Sequence, residues 1–444
     1  MTRLSQTVIW GAIAALILAL APLLARDLMA MTQHVALDPN EGWNAAHTLR
    51  LMMGGPLYPP KDSWMVNNYP PLSFYLVAGL THLTHDAVIA GRLVSALSFV
   101  AICGLIAMVL RQWGAKPQAT LLGTLFFAAV LLIDTDYVAM DDPQLLGHAV
   151  QMAALLLLLR RKNIAAAALF AISLFIKHNL LAMPLAASLW LLLQDRRAGL
   201  HFLVWGAAFA LTGLAAFQWR FGVSLLSMLT TPRATSATNL WQAMTHLWWA
   251  VLPGWLSLYA RPGGTRSFAH LYTGTALALG VIFAIGDGVD TNAFFDLAIA
   301  LALVIGLMPD HKYPTVIAGL SALPLLIFLV LHWHDNNFFY TRTFAAQSQR
   351  DIAFLKARPG PALCDQMSLC LWAGKTPQID VFNAGEAIQT KTRNAAPLIQ
   401  MIQAHHFATI QLQDTQGLGP QIHAAITSAY RLHHHNDNGA FFTP

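Results

Sequence analysis

The chain has 444 residues, 56% of them hydrophobic and 11% charged, with a net charge of +5 and a mean hydropathy of +0.51. Soluble domains carry about a quarter charged residues, so the composition excludes an ordinary soluble enzyme and gives a polytopic membrane protein. The basic balance makes no case for nucleic acid, because Lys and Arg sit in short clusters between apolar runs, as topology determinants do.

The first apolar run, Thr7–Ala25, follows Arg3. It exceeds a signal-peptide core of about 7–15 residues and approaches the about 20 that cross a bilayer. It reads as an uncleaved first span. Further apolar segments cover 70–84, 87–110, 117–133, 143–159, 163–181, 182–194, 199–218, 239–258, 267–286, 293–308 and 313–332. Basic clusters punctuate them at Arg111 and Lys116, Arg160–Lys162, Arg196–Arg197, Arg261 and Arg266, and Lys312. Successive clusters are two segments apart, so all lie on one face, the cytoplasm by the positive-inside rule.

With the N-terminus inside, this parity requires that 70–84 does not span. That segment is short, opens on Pro70-Pro71 and ends near His82 and His85. It reads as an interfacial or re-entrant helix, leaving eleven spans. The outer face then holds 26–86, 134–142, the Lys177-His178-Asn179 junction, 219–238, 286–292 and everything after about 333.

After about 335 the apolar runs shorten. Pro361–Cys364, Ile379–Phe382, Ala408–Leu412 and Ala440–Thr443 read as strands, and Gln347–Ala357, Ala395–His406 and Pro420–Arg431 as amphipathic helices. The expected organisation is a transmembrane module over 1–335 and a small extracytoplasmic α/β domain over 336–444. Cys364 and Cys370 could pair if that domain is extracytoplasmic. The run His433-His434-His435 reads as a solvated turn.

In a chain so poor in charge, carboxylates cluster in two outer loops, at Asp38 and Glu41 and at Asp134, Asp136, Asp141 and Asp142. Asp38 and Glu41 have the spacing of a capping box, and one of them could also deprotonate an acceptor hydroxyl. Asp141 and Asp142 precede a helix start, where carboxylates suit the dipole; they could instead bind a divalent cation or orient a donor. Lys177 on the outer face could snorkel or hold a phosphate as a point charge. Arg220 and Arg233 could do the same. Tyr58, Asn68 and Tyr69 lie in a turn-rich aromatic stretch suited to a sugar- or lipid-facing lip.

The order and sidedness of these motifs resemble the GT-C superfamily of integral membrane glycosyltransferases. Within it, the resemblance is to the dolichyl-phosphate-mannose–protein mannosyltransferase-like bacterial branch, which includes lipid A aminoarabinose transferases. It is carried by the acidic first loop, Gly54-x-x-x-Tyr58-Pro59, Asn68-Tyr69-Pro70-Pro71-Leu72, Asp142 with Leu145, Lys177, the Gly286–Asp296 stretch with Asn292, and Pro359–Lys375. The resemblance implies inverting transfer from a polyprenyl-phosphate sugar to an acceptor that the sequence does not name. An acidic first-loop residue would be the base, and Lys177 with external arginines would hold the phosphate. Tyr58, Asn68, Tyr69, Asp141, Asp142, His178 and Asn292 would bind donor or acceptor. The chain would sit in a bacterial inner membrane with its site outside; no cofactor is certain, and a divalent cation at Asp141 and Asp142 is left open. One departure stands out: many members carry adjacent Asp-Glu, and here the pair is Asn40-Glu41. The competing expectations are a transporter or lipid flippase, and an inactive GT-C-like protein.

Overall fold

The computed structural model describes residues 3–60, 62–222, 224–257, 264–307, 314–332, 338–413 and 418–444. Arg261, Lys312, the side chain of Asp134 and the expected boundary at 335–336 lie outside the described residues.

The first half is helical: α1 (Arg3–Met31), α2 (Pro39–Met52), α3 (Leu72–Thr84), α4 (Ala87–Gln112), α5 (Pro117–Asp134), α6 (Gln144–Leu159), α7 (Asn163–Leu174), α8 (Ala182–Gln194) and α9 (Arg196–Phe221). Their starts carry the expected chemistry. Asp86 caps α4 by accepting from the Ile89 N–H at 3.1 Å, and Asp195 caps α9. Pro39 and Pro117 open α2 and α5 at positions whose N–H would be orphaned anyway. Helices α10 (Ser224–Leu229), α11 (Ala237–Thr245), α12 (Trp248–Ser257), α13 (Ser267–Phe283), α14 (Phe295–Leu307) and α15 (Pro314–Leu331) follow. The apolar segment expected over 239–258 is thus two helices, broken after Thr245.

Gln6–Met31, Ala87–Gln112 and Arg196–Phe221 are long and apolar enough to cross a membrane, and shorter apolar helices surround them. Nearly all of α14 is buried, and it packs against α5, α12 and α13 at the centre of the bundle. Gly123 of α5 lies directly against the Ala302 carbonyl and Gly306, the small-residue contact that lets two apolar helices approach closely. Leu18, Leu97, Val100, Leu211 and Trp219 point outward. Such a surface suits lipid, in which helices satisfy their own backbone groups.

The C-terminal part holds α16 (Phe338–Lys356), β1 (Ala362–Cys364), α17 (Met367–Trp372), α18 (Val381–Gln389), α19 (Ala396–Gln403), β2 (Thr409–Leu412), α20 (Pro420–Ala429), β3 (Arg431–Asn436) and β4 (Gly439–Thr443). The sheet order is β1-β2-β4-β3, parallel between β1 and β2 and antiparallel elsewhere. Leu363, Phe407, Ile410, Ile426 and Phe442 build its apolar core. Two expectations are corrected. Ile379–Phe382 is not a strand, because Asp380 caps α18 by accepting from the Asn383 N–H at 3.0 Å. His433-His434-His435 is not a turn but part of edge strand β3, where His434 stacks on Phe441 and meets Asp351 Oδ1 at 3.0 Å. Cys364 and Cys370 form a disulfide.

This part seats directly on the loop and helix that follow α1. Gly42 of α2 abuts Met367 and Ser368 so closely that no Cβ would fit. Trp43 Nε1 donates to Asp380 Oδ2 at 2.8 Å, the Asp380 N–H to the Trp64 carbonyl at 3.1 Å, and Trp372 Nε1 to Asp86 Oδ2 at 2.9 Å.

Candidate active site

A cleft of about 380 Å³ opens where the first loop, the Gly286–Asn292 turn and the C-terminal part meet. Its size falls within the usual range of ligand pockets. Asp38, Asn40, Asn68, Tyr69 and Tyr137 line it, together with Arg233, Asp290 and Asn292 and, from the C-terminal part, Asp365, Asp380, Phe382 and Asn383.

Asp38 reaches the cleft because it caps α2. Its extended backbone turns the side chain back, where Oδ1 accepts from the Asn40 N–H at 2.7 Å. Burial in the cleft wall, with the Glu41, Asp290 and Asp142 carboxylates nearby, pushes its carboxyl up to about 7.

Glu41, one helical turn on, is fully buried and absent from the cleft wall. Arg92 of α4 grips it with two bonds, Nε to Oε2 at 2.9 Å and Nη2 to Oε1 at 2.6 Å. Its Oε1 also accepts from the Leu37 N–H at 3.0 Å, so it closes a variant of the expected capping box. Arg92 spends its remaining donors on the carbonyls of Ala30, Gln33 and Val35. Glu41 is thereby committed to holding the loop on α4.

Asp142 accepts from Lys177 Nζ at 2.9 and 3.1 Å, from Asn40 Nδ2 at 2.5 Å and from the Gln144 N–H at 2.6 Å. Lys177 is 2% exposed and its ammonium lies 4.8 Å from the Tyr69 ring. Lys177 and Asp142 therefore form a buried pair behind Asn40 and Tyr69 rather than part of the cleft surface. With these partners Asp142 has little capacity for a cation, and Asp141 turns into a separate recess beside Gly91. The described residues contain no cluster of three or more His, Cys, Asp or Glu side chains arranged for a metal.

Arg233 is the cation in the wall. Its Nη1 donates to the Asp287 carbonyl at 3.0 Å, and the guanidinium stacks 5.1 Å from the Phe382 ring. Gly288, with φ of 66°, brings its turn against that ring, where a side chain would collide. Arg220 and His178 are exposed and outside the cleft wall, and Tyr58 is buried behind it, its hydroxyl on the Tyr69 carbonyl at 2.9 Å.

Several lining groups were not foreseen from sequence. Asp380 binds Trp43 and Asn383, whose Nδ2 donates to its Oδ2 at 2.6 Å. Burial pushes its carboxyl up to about 6 against these hydrogen bonds. Asp365, Phe382 and Asn383 come from the C-terminal part, Tyr137 from the 134–142 loop and Asp290 from the Gly286–Asn292 turn. Arg92, a single charge inside an apolar run, carried a signal that could have been read.

Fold and site define a polytopic helical membrane protein with a carboxylate-rich cleft beneath a C-terminal cap. Two solved structures of ArnT from Cupriavidus metallidurans share this fold. The apo structure matches with a TM-score of 0.64 at 12% identity, over 96% of this chain and 97% of that one. The structure bound to undecaprenyl phosphate matches with a TM-score of 0.63 at 13% identity, over 96% and 97%. No family model matches the chain, and no curated protein matches it by sequence. At this identity the likeness is one of fold, and the GT-C resemblance read from the motifs holds at that level.

Proposed function

We propose that the chain is a glycosyltransferase that moves a sugar from a polyprenyl-phosphate donor to an acceptor hydroxyl. The observation that carries the reading is Asp38: a carboxylate pushed up to about 7, in the wall of a ligand-sized cleft that Arg233 also lines. A base is most effective when its pKa lies near the working pH. Asp38 takes the proton from the acceptor hydroxyl as that oxygen attacks the anomeric carbon. The bond from that carbon to the phosphate oxygen breaks, and polyprenyl phosphate leaves with the electron pair on the opposite face. Configuration inverts.

Arg233 holds the phosphate charge, with Arg220 further along the lipid's approach. Lys177 acts through Asp142, fixing Asn40 and Tyr69 at the reacting centre. Asn68, Tyr69 and Asn292 contact the sugar, and Tyr58 keeps Tyr69 in place; His178 lies toward the donor lipid. Glu41 positions the loop. The solved ArnT fold bound to undecaprenyl phosphate supports a lipid of this class. The chain crosses the inner membrane eleven times, with the N-terminus inside and residues 336–444 as an outer domain over the cleft. The disulfide favours an oxidising compartment for that domain. A panel of labelled polyprenyl-phosphate sugars, assayed for released polyprenyl phosphate with and without chelator, tests the reading. Release from one donor is expected; none from any donor would overturn it.

A further inference from the structure

Three acidic side chains gather between α2, α4 and the 134–142 loop, and two have a cation: Glu41 holds Arg92, and Asp142 holds Lys177. Asp141 is the third. It is 4% exposed, and its Oδ2 meets no partner among the described residues. It shares a small cavity with Asn44, Thr48, Ser73 and Gly91. The hydroxyls of Thr48 and Ser73, 1% and 5% exposed, are likewise without a partner there. The cavity measures about 10 Å³, room for about one water. A Cβ on Gly91 would overlap the Asp141 carboxyl, so α4 carries a recess that seats this side chain.

We infer that Asp141 is held as the neutral acid, donating its proton into this cavity, where a single water joins it to Thr48 and Ser73. Ionised, it would face Glu41 on α2, Asp86 at the cap of α4 and Asp142 beside it. The cation at hand, Arg92 on α4, is already taken by Glu41. A carboxylate can only accept, whereas the neutral acid both donates and accepts. Burial first, then the Glu41 and Asp142 charges, hold this carboxyl well above the ordinary range.

Asp141 is thus a positioning residue. Its carbonyl accepts from Asn44 Nδ2 at 2.9 Å, and the same amide donates to the Asn40 carbonyl at 3.0 Å. The recess fixes the register of α2 against the second loop, and hence Asp38 and Asn40 against Asp142. A neutral Asp141 also leaves the Asn40–Asp142–Lys177 charge pattern undisturbed. Its bearing on catalysis rests on the proposed function; its protonation state does not.

The test is the infrared difference spectrum at pH 7 between wild type and Asp141→Asn, both as full-length protein in detergent. The expected result is loss of one protonated carboxylic C=O band. Loss of a carboxylate band would overturn the inference, and if that band moved on exchanging sodium for potassium the cavity would be a cation site. An Asp141→Asn protein that does not fold would overturn it equally, since the amide is the neutral isostere. These readings need no transferase activity, so failure here and failure of the proposed function are separable.

Discussion

Asn40 Nδ2 donates to Asp142 Oδ2 at 2.5 Å, tying the first acidic loop to the second and, through Asp142, to Lys177. The amide explains the departure from the adjacent Asp-Glu of the resembled family. Asp142 already carries the charge at this point, and an amide can donate to it where a carboxylate would repel it. Asn40→Asp is therefore expected to lower stability at pH 7 and to cut donor turnover at least tenfold. The stability loss shrinks toward pH 5 as the paired carboxylates share a proton. Melting curves at the two pH values check this.

Asp38→Asn is expected to leave the fold intact, because Asn caps a helix as well as Asp does. Its effect on stability depends on pH. The native carboxyl sits at about 7, above its ordinary 3.8, so the native state prefers the proton. That preference stabilises wild type fully below about 4 and is lost as pH rises through 7. The amide cannot ionise. The variant should melt with wild type at pH 4 and roughly 2–4 °C above it at pH 8.

Glu41 and Arg92 make a different prediction. Removing one partner of a buried ion pair strands the other charge, at about 3–5 kcal/mol. Glu41→Ala and Arg92→Ala should each reduce folded yield sharply; Glu41→Leu with Arg92→Met removes both charges but leaves the Leu37 N–H and the Ala30, Gln33 and Val35 carbonyls without these partners, so it recovers only part of the loss. Whatever Glu41→Gln protein folds should keep the wild-type pH dependence of turnover. Loss of that dependence would make Glu41 the base.

The apolar helices and the two acidic loops were legible because each leaves a local mark: an apolar run, a charge beside it, a cluster of turn residues. What the side chains do was not. Asp38 and Glu41 look equivalent in sequence, and only packing against Arg92, 51 residues on, separates them. Asp380 meets Trp43 across 337 residues, beyond any periodicity. Ile379–Phe382 has strand-like composition, and Asp380 as an N-cap decides for helix. The histidines of β3 read as solvated because an edge strand keeps one side wet.

The Cys364–Cys370 disulfide offers a check on orientation. With residues 336–444 on the outer face, a digest of protein alkylated in intact cells should contain the linked peptide pair. Two alkylated thiols at these positions would place this part in the reducing cytoplasm.

The most direct test of Asp38 as the base is the pH dependence of polyprenyl phosphate release, in wild type and in Asp38→Asn. Wild-type turnover should rise with pH along a single-proton limb centred near 7, the pKa at which the cleft holds this carboxyl. Asp38→Asn should fall by about 10²–10⁴-fold and lose the limb. A variant that turns over at the wild-type rate with the limb intact would contradict the account.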